Sequence, residues 1–339
     1  MKALKIIEKG KVDFFEIDKP VLNDGEVLVK VVKLGYCGSD LNTFRGLNPI
    51  VKYPRIPGHE IGGIIEEIGT GVPEHIKVES HVSVIPFTAC GKCTPCRIGR
   101  SYACRYNETL GVQRDGALTK YIAVPWQKVL VDDTLSFSQL AMIEPMAIGF
   151  HAAKRARVAK GDKVVVLGCG VIGLGTIAGA NLMGGEVIAV DLVDEKLAIA
   201  KKEAGAKHVI NSGNEDLHDR LQELTDGHGP DVIIEAAGSP FTFKIAVDEV
   251  AFAGRVVYIG YTKSPVSYET KLFVMKELDI LGSRNSERID FENVLAAIKS
   301  GKVNPEKFIS HTFPFEKADS GIQLWDNDPS VVTKIVIEN

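Results

Sequence analysis

The chain is expected to fold as an α/β protein of two domains, one mostly β and one a doubly wound parallel sheet. Residues 1–150 read as short strands broken by glycine and proline, and no helical period lasts long among them. From about residue 151, apolar strands alternate with helix-length segments, the pattern of a parallel sheet covered on both faces. A glycine-rich turn, Gly168-Cys169-Gly170-Val171-Ile172-Gly173, joins the first of those strands to a helix.

In the first region the predicted strands are 26–34 (EVLVKVVKL), 62–68 and 81–86. In the second, KVVVL at 163–167 predicts a buried strand, followed by a small-residue helix from Val171 to about Met183. A strand at 186–190 (EVIAV) and a helix near 195–204 come next, then a strand at 208–210 and a helix around 216–224. The alternation closes with a strand at 231–235, a helix at 242–250 and a strand at 255–259. After about residue 282 the character is mixed again, and the chain ends on a predicted strand, 331–337 (VVTKIVI), with Lys334 in its middle. That tail is too short for a domain, so it is expected to pack back onto the first. The expected division is 1–150 with 282–339, and 151–281.

With 339 residues there is room for two domains, and 45% apolar with 25% charged residues is the make-up of a globular protein. A net charge of −4 with both signs interspersed gives no electrostatic case for nucleic acid. No run of about 18 apolar residues predicts a membrane span. Glu8, Asp13 and Glu16 stand where a signal peptide has its apolar region, so a reducing cytoplasm is the expected location.

Cys90, Cys93, Cys96 and Cys104 form C-x2-C-x2-C-x7-C. Each two-residue gap is one tight turn, and Gly91, Pro95 and Gly99 supply the turn chemistry. Four thiolates on one compact loop can close a tetrahedron around Zn2+ and leave no place for substrate, which predicts a structural zinc. Disulfides are the competing reading and are opposed by the lack of an export signal. An iron–sulfur cluster is opposed by the absence of other electron-transfer motifs.

In the glycine turn, the first glycine permits the bend and the second lets backbone approach a pyrophosphate. The third lets helix pack on strand. Unpaired N–H groups at the helix N-terminus then face the phosphates, so Gly168, Gly170, Val171, Ile172 and Gly173 are the candidate cradle. Asp191 ends the second strand, where a carboxylate accepts ribose hydroxyls and repels a 2′-phosphate, predicting NAD rather than NADP. Cys169 fills a variable slot and reads as packing.

A second metal site is suggested by Cys37 in GYCGSD, His59-Glu60 in PGHE, and Glu144-Pro145. One thiolate, one imidazole and carboxylates suit a zinc with an open position. Spacing alone does not unite them. A lone cysteine among strands is commonly core, and a lone His-Glu is commonly surface.

Gly35–Asp40, Gly58–Glu60, the four-cysteine lobe and Gly168–Gly173 resemble, in order and spacing, the zinc-dependent medium-chain dehydrogenases. The resemblance spans essentially the whole chain. It implies a GroES-like, mostly β catalytic domain carrying both zincs, and a Rossmann domain binding NAD. Glu144-Pro145 with Met146–His151 (MAIGFH) is similar to the sorbitol, threonine and sugar-acid branch. The segments 282–285 (GSRN) and 85–87 (IPF) resemble bacterial dehydrogenases of galactonate- or gulonate-like acids.

By that resemblance Cys37, His59 and Glu144 bind catalytic zinc, with Glu60 as a ligand or close beside one. Ser39 takes the substrate proton. Where many relatives carry a histidine three residues on, this chain has Asn42, which cannot titrate, leaving the ribose and water or another group as the outer route. Lys196 matches a residue on the adenosine ribose, and Lys334 is placed to reach the cofactor phosphates or is a solvated strand lysine. The implied reaction is oxidation of a secondary alcohol on a polyol or sugar acid by NAD, with zinc lowering the pKa of the hydroxyl. A cleft between the domains is expected to position the two reactants.

Phe44, Arg45, Tyr53, Phe87 and Arg284 are the candidate pocket residues, the two arginines as partners of a substrate carboxylate. A homodimer or homotetramer is expected. A threonine 3-dehydrogenase wants an acidic pocket for the amino group, and none is identified. A non-catalytic NAD- and zinc-binding protein has no reason to keep an open metal shell.

Overall fold

The computed structural model describes all 339 residues, which divide into two compact units: Met1–Pro145 with Leu295–Asn339, and Met146–Val294. Both crossings fall inside helices, Phe137–Arg155 and Arg288–Lys299. The expected return at residue 282 is therefore corrected. The segment Asp279–Gly282 is still a strand of the second unit's sheet, and the crossing comes within the helix that follows.

In the first unit, strands Glu26–Gly35, Glu60–Ile68, His81–Val84 and Val129–Val131 pair antiparallel in that order. Tyr121–Pro125 pairs with Glu26–Gly35 as well. The other edge of Glu26–Gly35 takes Ile335–Glu338, which carries His311–Pro314 in parallel. A hairpin, Lys2–Glu8 with Lys11–Glu16, stands apart from this sheet. Alternate residues of these strands fill one core, among them Val27, Val29, Ile61, Ile65, Val82 and Ile337. The final strand begins at Ile335, later than the sequence predicts, so Lys334 lies just ahead of it rather than in its middle.

The second unit is a six-stranded, all-parallel sheet. Its spatial order is His208–Asn211, Glu186–Asp191, Lys163–Leu167, Val232–Glu235, Arg255–Tyr258, Asp279–Gly282. In chain order this is 3-2-1-4-5-6, which reverses direction between the first and fourth strands. Ligands of such sheets bind outside the carboxyl ends of the strands at that reversal.

The 19-residue helix Phe137–Arg155 is the element that the sequence does not announce. Residues 140–147 are all buried, so the helix has no polar face through its middle and shows no amphipathic period. Pro145 sits inside it, removing one backbone donor. No helix is long and apolar enough to cross a membrane.

Candidate active site

Two neighbouring strands and one turn of helix build the Cys37 centre. Gly35, at the end of Glu26–Gly35, pairs in register with Glu60, the first residue of Glu60–Ile68. A Cβ on residue 35 would lie 1.9 Å from Glu60 Oε2, so only glycine there leaves room for the carboxylate. Cys37 caps the helix Gly38–Phe44. Asp40, in the first turn, accepts from Cys37 N at 2.9 Å and from Gly58 N at 3.2 Å. One buried carboxylate thus ties the turn bearing Cys37 to the turn bearing His59. The sequence carried a signal for Asp40, an acidic residue three positions after a helix cap, which its neighbouring metal-type residues obscured.

Ligand atoms of Cys37, His59 and Glu60 all lie within 4.8 Å of one another. Three polar atoms beside them are buried without a hydrogen-bond partner: Ser39 Oγ, His59 Nδ1 and Glu60 Oε1. Buried polar atoms are normally satisfied, and orphans clustered around a thiol, an imidazole and a carboxylate are donors that a cation would take up. The donor set fits zinc. Glu144, from the helix Phe137–Arg155, is 2% exposed. Burial pushes its carboxyl up to about 7, with Glu60 and Asp40 adding and His59 and Lys334 opposing. Burial alone would lower the His59 pKa, but Cys37, Glu144 and Asp40 carry it well above its usual value.

Several sequence-predicted residues are placed differently from expectation. Lys334 is fully buried; its ammonium pairs with Glu60 and donates to Tyr36 O at 2.9 Å, so it is neither a solvated lysine nor free to reach a phosphate. The Arg45 guanidinium is committed to Asp326, Nε to Oδ1 at 2.6 Å and a second nitrogen to the backbone oxygen at 2.9 Å, which removes it as an open clamp for a carboxylate. Phe44 belongs to the first unit's core, packed among residues such as Leu41 and Ile56. Tyr53 turns its hydroxyl onto Thr43 O at 2.5 Å. Phe87 is buried, and Arg284 is exposed on the second unit.

The four-cysteine lobe is a second donor set whose sulfurs lie within 4.8 Å of one another. Cys93 Sγ is 3.4 Å from Cys96 Sγ and 3.7 Å from Cys104 Sγ, far beyond the ~2.05 Å of a disulfide. With Zn–S bonds of about 2.3 Å, tetrahedral sulfurs stand about 3.8 Å apart, so the spacing is near that of a metal shell. Backbone N–H groups of Cys90 and Tyr106 point at Cys104 Sγ, and that of Cys93 at Cys90 Sγ, each at 3.3 Å. Backbone donors from Cys96 and Arg105 pull Cys93 down to about 6, while desolvation and the neighbouring sulfurs push Cys96 up to about 12. Without a cation the four thiols cannot all ionise together. They fit a closed zinc shell.

In the second unit the glycine turn lies at the carboxyl end of Lys163–Leu167. Gly168 has φ +99°, which favours glycine. A Cβ on Gly173 would sit 1.9 Å from Gly168 O, whereas one on Gly170 would meet nothing within 4 Å. Gly170 caps the helix Val171–Leu182 without any side-chain cap, so the first N–H groups stay available to an anion. The open space at Gly170 fits a pyrophosphate. Asp191 ends its strand and accepts from Cys169 N at 2.6 Å, Leu192 N at 2.8 Å and Val193 N at 3.0 Å. The carboxylate is thus oriented by its own loop, and Lys196 is half-buried in the following helix Asp194–Lys202. Glu235, not singled out from the sequence, accepts from Ala237 N, Gly238 N and Thr242 Oγ1 and holds the turn after its strand, whose Ala237 packs on Gly168.

Residues 23–132 match the alcohol dehydrogenase GroES-like domain, and residues 171–300 match the zinc-binding dehydrogenase family. The chain is 35% identical to an uncharacterized zinc-type alcohol dehydrogenase-like protein of Haemophilus influenzae, covering 99% of this chain and 98% of that one. It is 33% identical to an L-galactonate-5-dehydrogenase of Escherichia coli over 87% of this chain and 86% of the relative. A solved alcohol dehydrogenase from Escherichia coli, complexed with cofactor NADH, superposes with a TM-score of 0.93 at 33% identity, covering 100% of this chain and 99% of that one. The chain belongs to the zinc-binding alcohol dehydrogenase family, as an oxidoreductase of the alcohol and polyol type.

Proposed function

We propose that this enzyme oxidises a secondary alcohol of a sugar acid of the galactonate or gulonate kind, with NAD as acceptor. The observation that carries the reading is the convergence of Cys37, His59 and Glu60 beside an unpartnered Ser39 Oγ. Cys37, His59 and Glu144 would hold the zinc, with Glu60 as a ligand or close beside one. When bound, zinc supplies a Lewis acid that acidifies the substrate hydroxyl, and NAD supplies the hydride acceptor. Ser39 Oγ accepts the hydroxyl proton. The amide of Asn42 does not titrate, so the proton leaves Ser39 by the ribose and water. The N–H groups at Gly170–Gly173 bind the pyrophosphate, Asp191 the ribose hydroxyls and Lys196 the adenosine side.

The sugar-acid assignment draws on the likeness to L-galactonate-5-dehydrogenase and on Arg284, whose exposed guanidinium is the arginine left to meet a substrate carboxylate. A neutral polyol is the second reading, favoured by the commitment of Arg45 to Asp326. A panel of aldonates, polyols and threonine, scored by NADH absorbance, separates them. A charge-assisted contact contributes about 1.5–3 kcal/mol, so an aldonate should exceed its polyol by about tenfold or more in kcat/KM. Arg284→Ala should remove most of that gap with zinc content unchanged. Equal rates on sorbitol and an aldonate would transfer the assignment to neutral polyols.

A further inference from the structure

The carboxyl end of the parallel sheet's second strand carries more negative charge than one ribose carboxylate requires. Asp191 is followed by Asp194 and Glu195, both exposed, in the first turn of Asp194–Lys202. Acidic residues at a helix start normally serve the helix itself. Asp194 also reaches sideways to the end of the third strand, where Asn211 Nδ2 donates to its Oδ1 at 2.6 Å. Asn211 is 8% exposed and its amide is committed at both ends, since its Oδ1 accepts from Gly213 N at 3.0 Å. Its own backbone N–H donates to Glu215 Oε1 at 3.2 Å, and in the ladder it lies directly beside Asp191. Asn211 therefore fixes the Asp194 carboxylate next to the strand end that Asp191 closes.

The two carboxylates differ in how far their charge is already offset. Asp191 accepts three backbone N–H groups from its own loop and from the glycine turn, and each draws on its charge. Asp194 is met by one neutral amide. Three residues of chain span at most about 10 Å, which is one screening length at 0.1 M salt. NADP differs from NAD by a 2′-phosphate on the adenosine ribose, a group with about two negative charges near pH 7. We propose that Asp194, clamped by Asn211, is a second specificity-determining residue for the cofactor: it repels a 2′-phosphate without binding the ribose. Asp191 both binds and repels, whereas Asp194 only repels, so the two contributions are separable. The proposal rests on the reading that Asp191 faces the adenosine ribose, and its test needs no substrate.

Dissociation constants of NADH and NADPH are measured on the zinc-loaded protein by nicotinamide fluorescence, without substrate. Asp194→Asn keeps the side chain's shape and removes its charge. It should tighten NADPH roughly fivefold or more while NADH stays within about twofold. At about 1 M salt, where the screening length falls to about 3 Å, the NADPH gain should vanish. A gain produced by altered packing has no reason to depend on salt. In an Asp191→Ala background the same substitution should still tighten NADPH, because each charge acts on the phosphate directly. If Asp194→Asn does not fold, Asp194→Ser, which also suits a helix start, carries the same expectation. NADPH binding unchanged by the loss of the Asp194 charge overturns the proposal. So do equal changes in NADH and NADPH, a gain that survives 1 M salt, and wild-type protein that binds NADPH as tightly as NADH. Asp191→Ala that leaves NADH binding unchanged overturns the ribose reading on which the proposal stands.

Discussion

Around His59, the charged side chains draw on several partners. Asp40 draws on the N–H groups of Cys37 and Gly58, Glu60 on the Lys334 ammonium, and Glu144 on the charge of His59. Ser39 Oγ is buried with no hydrogen-bond partner, which leaves it available to a substrate hydroxyl. Ser39→Ala should lower kcat/KM by roughly 100-fold, the lower end of the range for a positioned proton acceptor, while metal analysis still returns the wild-type zinc content. Unchanged kcat/KM would remove Ser39 from the proton path. For cofactor choice the proposed residue is Asp191. Its loop holds the carboxylate with three backbone N–H groups, so its charge sits in a defined place rather than on a mobile side chain. Asp191→Ala should relax a preference for NAD over NADP, read from kcat/KM with each. Wild-type protein that uses both equally would show that this charge does not discriminate. Cys37 and His59 were singled out only through the family resemblance of GYCGSD and PGHE, because their spacing in sequence does not unite them. The ion pair of Lys334 with Glu60 was not legible, because it joins residues far apart in sequence.

At the scale of elements, five of the six strands of the parallel sheet were readable to within a residue or two, and the edge strand Asp279–Gly282, with three of its four residues exposed, was not. A run such as KVVVL is buried on both faces and contains nothing else that it could become. The helix Phe137–Arg155 was not readable, since its buried middle lacks the polar stripe that marks a helix in sequence. Its last turns meet the start of Arg288–Lys299 through buried polar groups. His151 Nδ1 lies 2.7 Å from Asp290 Oδ2, and Lys154 pairs with Asp290 and Glu287. The lysine already pairs with both carboxylates, so this cluster of metal-type residues reads as an ion network that joins two helices. Burial alone would raise the Asp290 pKa, but His151, the Glu287 N–H and Lys154 together hold it below the usual value. A carboxyl depressed on folding contributes stability that is present above the unfolded value of about 3.9 and is lost as pH falls through the folded value. Asp290→Asn should therefore cost about 1–3 kcal/mol in urea unfolding near pH 7, and the gap from wild type should narrow below about pH 4. A gap independent of pH would mean that the carboxylate charge contributes nothing there.

The whole molecule divides its labour between a unit that carries both candidate metal centres and a unit that carries the dinucleotide turn. The two centres differ in what surrounds the cation. Around Cys90, Cys93, Cys96 and Cys104 there are four sulfurs, three of their contacts are backbone N–H groups, and no position is left for an outside ligand. Around Cys37 the set is mixed, with a carboxylate shared with Lys334, and an open position gives a chelator the same access that it gives a substrate. Fresh protein should contain two zinc ions per chain with different lability. Mild chelation should remove the Cys37 zinc first, abolishing NAD reduction while circular dichroism and the unfolding midpoint change little. Removal of the second should require harsher conditions and should lower stability, because a closed shell binds only the folded lobe and its binding energy is folding energy. Restoring one zinc equivalent after the mild step should return activity. Metal analysis giving one zinc or fewer from fresh protein would contradict the two-centre assignment, and loss of structure in step with loss of activity would contradict the difference in lability.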